Sequence, residues 1–396
     1  MKLAILGGKP IREGYLPYAK QYMDEDDIKS VNEVLMSDYL TTGPTIKEFE
    51  NTIADYVGAK YAVAFSNGTA ALHGATYAAG IKAGDEVITT PMTFAASANC
   101  VLYMGGTPVF ADIDINTFDI DVEEIERKIT EKTKAVIPVD YTGQATDIDL
   151  IKELVKGKGI AVIEDGAHSL GTSYKGKKVG SLVDMTMFSF HPVKTITTGE
   201  GGIITTNSEE YYERLINFRS HGITRDANQL VNKDTGDWYY EQLDLGYNYR
   251  MTDIQAALGI SQMKKIDWFI KKRKNIVDKY NKAFRDLDGV ILQKNSSLSD
   301  TVNHLYVLRL DLEKISVGRR QIFDSLQAEN IGVHVHYIPV YWHPYYQSLG
   351  YKKGICPQAE ELYESILTLP LFPAMSDRDV EDVVDGVYKV INYYRR

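Results

Sequence analysis

Cysteine is almost missing: Cys100 and Cys356 are the only two in 396 residues. Two thiols make no disulfide framework, no zinc-ligand spacing and no C-x-x-C pair, so a reducing cytoplasm is the expected setting and no metal centre is expected. Cationic surplus is missing too. A net charge of −10 with no long basic run excludes a general affinity for nucleic acid or anionic membrane. The locally basic stretch Lys264 to Lys274 has the spacing of a solvated helix face. Long hydrophobic runs are also lacking, and Gly7, Gly8, Pro10 and Arg12 interrupt any apolar signal-peptide core near the N-terminus. These absences together predict a soluble, cytoplasmic protein.

What is present is an ordinary globular composition, at a length that favours one large domain plus a smaller one. Residues 1–23 read as an irregular arm rich in Gly, Pro and Tyr, with Tyr15, Tyr18 and Tyr22 packing the arm onto its own domain. Asp24 caps an amphipathic helix to about Met36, and Thr45 with Glu48 reads as a capping box opening a second helix to Val57. Ser37 to Pro44 between them is a polar loop.

From Lys60 the pattern becomes regular. Tyr61–Phe65 reads as a strand, followed by Ser66-Asn67-Gly68-Thr69 and an Ala-rich helix; this junction suits either a phosphate or a plain N-cap. Strands at Glu86–Thr90, Thr107–Asp112, Ala135–Val139 and Ala161–Glu164 alternate with helices near 94–104, 122–130 and 147–156. Such alternation means a parallel sheet between helices, whose ligands bind at the carboxyl ends of the strands. Past Asn303, strands at His304–Leu310 and Val333–Tyr337 with helices near 319–329, 359–366 and 376–392 read as a smaller α/β domain, joined by one helix from about Thr252 to Asp288. The expected division is arm 1–23, large domain 24–265, and linking helix with small domain 266–396.

The chemistry centres on Met187 to Gly202, where an apolar run delivers Lys194 into a turn of Ser, Thr and Gly. A lysine held there and partly desolvated is placed for carbonyl chemistry. Phosphate donors Gly68, Thr69 and Ser189, the aromatic Phe94, the strand-end carboxylate Asp165 and the amine of Lys194 match what pyridoxal phosphate (PLP) requires.

Seven stretches carry a resemblance running nearly end to end: GPTIKEFE (43–50), SNGTAALH (66–73), PMTF (91–94), EDGAHSLG (164–171), SFHPVKTITTGEGG (189–202), GYNYRMTDIQAALG (246–259) and VHVHYIPVY (333–341). The chain resembles the DegT/DnrJ/EryC1/StrS family of PLP-dependent nucleotide-sugar aminotransferases. The resemblance implies aminotransferase fold type I, an α/β large domain with a mostly parallel seven-stranded sheet plus a smaller C-terminal α/β domain. It also implies a homodimer with shared active sites. Lys194 would hold PLP as a Schiff base and shuttle protons, Asp165 would pair with the pyridine nitrogen, and His168 would lie at the ring's hydroxyl side. Phe94 would stack on the ring, while Gly68, Thr69, Ser189 and the partner's Asn248 would hold the phosphate. Tyr18, Asp38, Tyr39, Leu40, Thr41, His336 and Tyr337, with Gly68, Ser189 and Asn248, become substrate candidates, which overrides the packing role for Tyr18.

The lysine stretch, FRSHGI (218–223) and the VHYIPVY turn are most similar to the branch acting on UDP-4-keto-6-deoxy-N-acetyl sugars of the L-altrose series. That branch implies L-glutamate as donor, pyridoxamine phosphate as the half-reaction form, UDP-2-acetamido-2,6-dideoxy-β-L-arabino-hex-4-ulose as acceptor, and a step of pseudaminic acid synthesis. The alternatives are a D-configured 4-keto or a 3-keto nucleotide sugar. A keto-sugar dehydratase is disfavoured because relatives with that activity carry histidine where Lys194 stands. A ligand-sensing regulator would carry a DNA-binding appendage. The segment Thr224 to Glu241 is long, and both a lid and a dimer contact suit it.

Overall fold

The computed structural model describes residues 2–232 and 236–396. Its largest sheet has seven strands, in the spatial order Tyr61–Phe65, Gly202–Thr206, Met185–Ser189, Ala161–Asp165, Thr133–Ile137, Glu86–Thr89 and Thr107–Phe110. Gly202–Thr206 runs antiparallel to both neighbours, and the other pairings are parallel. Successive strand residues point to opposite faces, so Met187 and Ile204 enter one apolar cluster while Phe188 and Ile203 enter the other. Both faces are therefore buried under helices, as a parallel sheet requires.

A second sheet places Val290–Leu292, Tyr306–Leu310 and Ile366–Leu369 side by side, all antiparallel. Its core takes Ile276, Tyr280 and Phe284 from one helix, Val387 and Ile391 from another, and Leu3 and Leu16 from the N-terminal arm. The arm is pinned there by Glu329, whose carboxylate accepts from the Ala4 and Ile11 N–H groups and pairs with Lys389 at 2.8 Å. Both members of that pair are almost fully buried, so losing either would strand a charge.

Four local expectations are corrected. The second helix, Pro44–Val57, is capped by Gly43 with Pro44 at its first position, not by a Thr45–Glu48 box. The carboxylate of Asp253 accepts from the N–H groups of Thr42, Gly43, Thr45 and Ile46, which removes any need for a local cap. The linking helix is two helices, Asp253–Met263 and Ile266–Phe284. The chain breaks where Lys265 sets its ammonium between Asp24 and Asp27, at 2.7 and 2.8 Å. Val333–Tyr337 makes a single bridge, His334 to Thr368, because Ile366–Leu369 occupies the place beside Tyr306–Leu310. Tyr22 packs on Trp268 and Phe269 as expected, but Tyr15 is 58% exposed, its hydroxyl end lying over Gly332, which offers no side chain to cover the ring.

The segment Thr224 to Glu241 includes residues 233–235, which lie outside the described residues. Its base is closed by Ile223–Thr224 pairing with Glu241–Gln242, and the Glu241 carboxylate accepts from the N–H groups of Val231 and Asn232. Trp238 projects from it, 80% exposed. Among the described residues no helix is long and apolar enough to cross a membrane.

Candidate active site

Glycine decides how closely the phosphate-side turn approaches the lysine stretch. A Cβ at Gly202 would come within 2.6 Å of the Asn67 carbonyl oxygen, and one at Gly68 would sit 3.3 Å from Ser189 Oγ. The first contact forbids any larger residue, and together they bring the start of the Gly68–Ala78 helix against Ser189. Asn67 caps that helix by accepting from the Ala70 N–H at 2.8 Å. Among the described residues the N–H groups of Gly68 and Thr69 and the Thr69 hydroxyl have no partner, so the cap and an anion site coexist.

These groups open into a cavity of about 820 Å³ at the carboxyl ends of the parallel strands, lined also by Phe94, Asp165, His168, Lys194, His336 and Tyr337. Asp165 ends its strand almost fully buried, accepting from the Ser97 hydroxyl at 2.6 Å and from the Ala167 N–H at 3.1 Å. Burial pushes its carboxyl upward, and the Ser97 hydroxyl, the Ala167 N–H and the nearby Lys194 oppose that push. Lys194 has its amine lowered from 10.5 to about 8, first by burial, with Asp165 opposing and the Arg273 cation assisting. A neutral amine is therefore accessible near physiological pH.

His168 is buried and held well below the usual imidazole range, chiefly by desolvation, so its ring is neutral. Its Nε2 lies 3.2 Å from the Tyr337 hydroxyl, and its ring is 4.4 Å from that of His304. Phe94 leaves 63% of its surface open, with its ring 6.4 Å from that of Tyr337. Tyr18 reaches the opposite wall, its ring 5.1 Å from His334 and 5.4 Å from His336, and its carbonyl accepts from the Leu371 N–H.

The structure thus brings Tyr18, Gly68, Thr69, Phe94, Asp165, His168, Ser189, Lys194, His336 and Tyr337 to one cavity. It does not bring Asp38, Tyr39, Leu40, Thr41 or Asn248 there. The 38–41 loop is exposed and tied to the Asp253 helix through the Leu40 carbonyl, and Asn248 is exposed on a strand-like bridge with Ser220. Two residues of the site escaped the sequence reading. Ser97 lies one helical turn past the PMTF stretch, a spacing that already aims it back at the strand ends, whereas nothing in the sequence ties His304 to His168.

A family model described as the DegT/DnrJ/EryC1/StrS aminotransferase family matches residues 21–388. The chain belongs to that family. It is 43% identical to the spore coat polysaccharide biosynthesis protein SpsC of Bacillus subtilis, over 96% of this chain and 98% of the relative. It is 36% identical to the UDP-4-amino-4,6-dideoxy-N-acetyl-β-L-altrosamine transaminase of Campylobacter jejuni, over 96% and 99%. Among solved structures, the sugar aminotransferase Spr1654 of Streptococcus pneumoniae in its PMP form superimposes with a TM-score of 0.90 at 32% identity, covering 96% of this chain and 99% of that one. PseC of Helicobacter pylori, an aminotransferase of pseudaminic acid biosynthesis, gives 0.89 at 32% identity, covering 96% and 100%.

The protein is accordingly a PLP-dependent sugar aminotransferase, whose substrates are a nucleotide-linked sugar and an amino donor. The donor set fits the cofactor. Two free N–H groups and two hydroxyls gathered at a helix start suit a phosphate, and a buried carboxylate braced by two donors suits a protonated ring nitrogen.

Proposed function

We propose that the protein transfers the amino group of L-glutamate to C4 of a UDP-4-keto-6-deoxy-N-acetyl hexose, UDP-2-acetamido-2,6-dideoxy-β-L-arabino-hex-4-ulose, a step of pseudaminic acid synthesis. The observation that carries aminotransfer is the single cavity uniting the Lys194 amine, the Asp165 carboxylate and the free donors of Gly68 and Thr69. The choice of sugar leans on the C. jejuni transaminase, whose name states a UDP-4-amino-4,6-dideoxy sugar, and on PseC, an aminotransferase of pseudaminic acid biosynthesis. A second reading, another nucleotide-linked keto sugar, is favoured by the higher identity to SpsC, 43% against 36%.

Bound PLP supplies an electron sink that acidifies the donor's α-hydrogen. In this reading Lys194 Nζ would anchor the cofactor and, as an amine that burial already shifts toward its neutral form, would take the proton from the α-carbon of glutamate. Asp165 would accept a hydrogen bond from the ring nitrogen and favour its protonated form, with the Ser97 hydroxyl and the Ala167 N–H orienting the carboxylate and opposing the upward push of burial. Gly68, Thr69 and Ser189 bind the phosphate, Phe94 covers the ring face, and His168 stands at the ring's hydroxyl side. Tyr18, His336 and Tyr337 meet the sugar. Asn248 and the loop from Asp38 to Thr41, exposed and away from their own cavity, complete the site of a second copy in a homodimer. The two sheets, each with an apolar cluster of its own and joined by a third that takes Phe110 from one and Val307 and Ile366 from the other, support a division into arm 1–23, large domain 24–265 and small domain 266–396.

The test is the visible absorbance of the cofactor-loaded protein. Loss of the lysine-bound cofactor band on adding L-glutamate, and its return on adding this UDP-keto sugar, is the expected result. Loss without return rejects this sugar and leaves aminotransfer standing. No change with glutamate rejects the amino donor.

A further inference from the structure

The sugar side of the cavity contains a histidine whose tautomer is set from behind. His336 is buried and lines the cavity, and its Nδ1 lies 2.8 Å from the hydroxyl of Thr368. Thr368 is 1% exposed, and among the described residues that ring nitrogen is the sole side-chain or carbonyl partner of its hydroxyl. The backbone fixes the two residues against each other: the His334 N–H donates to the Thr368 carbonyl at 3.1 Å, and the Thr368 N–H donates to the His334 carbonyl at 2.8 Å. The His336 carbonyl in turn accepts from the Tyr141 hydroxyl. The ring is therefore held at its Cβ end and at Nδ1, and only its Nε2 edge has no partner within the described residues.

A threonine hydroxyl carries one hydrogen, and burying it unbonded is costly. With His336 Nδ1 as its one acceptor, Thr368 must donate, so Nδ1 is the lone-pair nitrogen and the ring hydrogen sits on Nε2. Burial, with His334 and Lys194 nearby, holds this imidazole down at about 3, so a second proton does not add to the ring at neutral pH.

We propose that Thr368 is a positioning residue for sugar recognition: it locks His336 as the neutral Nε2–H tautomer, so that the ring presents a hydrogen-bond donor, and not a lone pair, to an acceptor oxygen of the keto sugar. This deepens the reading of His336 as a sugar-side residue and rests on it. Recognition then discriminates by hydrogen-bond sense. A sugar placing an oxygen acceptor at this wall is accepted, and one placing a donor there leaves two hydrogens facing each other.

The experiment pairs Thr368→Val, which keeps the branched shape and removes the hydroxyl, with Thr368→Ser, which restores it. In the PLP-loaded enzyme labelled with ¹⁵N-histidine, His336 is assigned by the loss of its signals in His336→Gln. Wild type and Thr368→Ser should show a protonated Nε2 and an unprotonated Nδ1, and Thr368→Val should move both signals toward the exchange-averaged position. With UDP-2-acetamido-2,6-dideoxy-β-L-arabino-hex-4-ulose, Thr368→Val should raise KM about three- to tenfold, the range for one neutral hydrogen bond, while the glutamate half-reaction keeps its rate. A protonated Nδ1 in wild type, unmoved signals in Thr368→Val, or an unchanged KM overturns the proposal. If wild type turns over with glutamate but not with this sugar, the sugar reading fails by itself, and the ¹⁵N signals still decide the tautomer.

Discussion

Asp165, Ser189 and Lys194 lie in one continuous stretch of chain, each at or just beyond a strand end of the seven-stranded sheet, whereas Tyr18, His304 and His336 reach the same cavity from three separated segments. The first wall is made by topology: parallel strands ending together deliver whatever residues follow them to one edge. The second is made by docking. Tyr18 is held because Leu16 bridges to Ile331 and the Tyr18 carbonyl accepts from Leu371, both far away in sequence. If the roles proposed above hold, a site built this way separates chemistry from choice of substrate, with the reacting groups at strand ends of one sheet and the sugar-side groups on segments brought in from elsewhere in the chain.

Lys194→Ala is the sharpest way to break that comparison. It should lower turnover with glutamate and keto sugar by about 10²- to 10⁴-fold, as loss of a positioned proton-transfer group does. The phosphate donors and Asp165 remain, so cofactor should still bind, without covalent attachment, as dialysis and absorbance would read. If the variant turned over at the wild-type rate, the division of roles between the two walls would collapse.

Within the same wall, Asp165→Asn should cost about 10² in the rate of the glutamate half-reaction, because in the proposed reading it removes the carboxylate that would hold the ring nitrogen protonated. Ser97→Ala should cost about tenfold, one hydrogen bond to a charged acceptor. Stopped-flow absorbance on glutamate alone measures both. An effect of Ser97→Ala confined to the sugar half-reaction would place Ser97 in the other wall.

The legible part of the molecule follows the same line. The alternation of strands and helices from Tyr61 to Thr206, and the residues at the strand ends, could be read because each signal is local. Where a distant group wins, the reading failed. Asp253 caps the Pro44–Val57 helix from far along the chain and makes the Thr45–Glu48 pattern irrelevant, and Lys265 breaks a continuous helical pattern to reach Asp24 and Asp27. The pairing of Ile366–Leu369 with Tyr306–Leu310 displaces Val333–Tyr337, whose β-type pattern is the more obvious in sequence. Ser97 was within reach of local reasoning. His304 was not, since its partner His168 lies far away in sequence.

The lowered amine gives a pH test of the same wall. Lys194 has its value reduced from 10.5 to about 8, so in the cofactor-free protein its neutral fraction should pass its midpoint at about pH 8 and level off roughly one to two units higher, while exposed lysines reach their midpoint only above about pH 10. Labelling with an amine-acylating reagent, read by peptide mass spectrometry, should show Lys194 reacting ahead of exposed lysines between pH 7 and 8, by up to about a hundredfold in neutral fraction. A midpoint near 10 would mean that burial and Arg273 do not tune this amine.

The mildest change is Tyr18→Phe. The Tyr18 ring is held by His334 and His336 and its backbone by Leu371, so removing the hydroxyl leaves the arm in place. Among the described residues that hydroxyl has no protein partner, and the phenol lines the cavity, so its loss should be felt only by what enters from solvent. KM for the UDP-keto sugar should rise about two- to tenfold, with the glutamate half-reaction and thermal stability unchanged. A slower glutamate half-reaction would carry more information than a null result. It would mean that the docked arm also shapes the chemistry at Lys194, and that the two walls act as one.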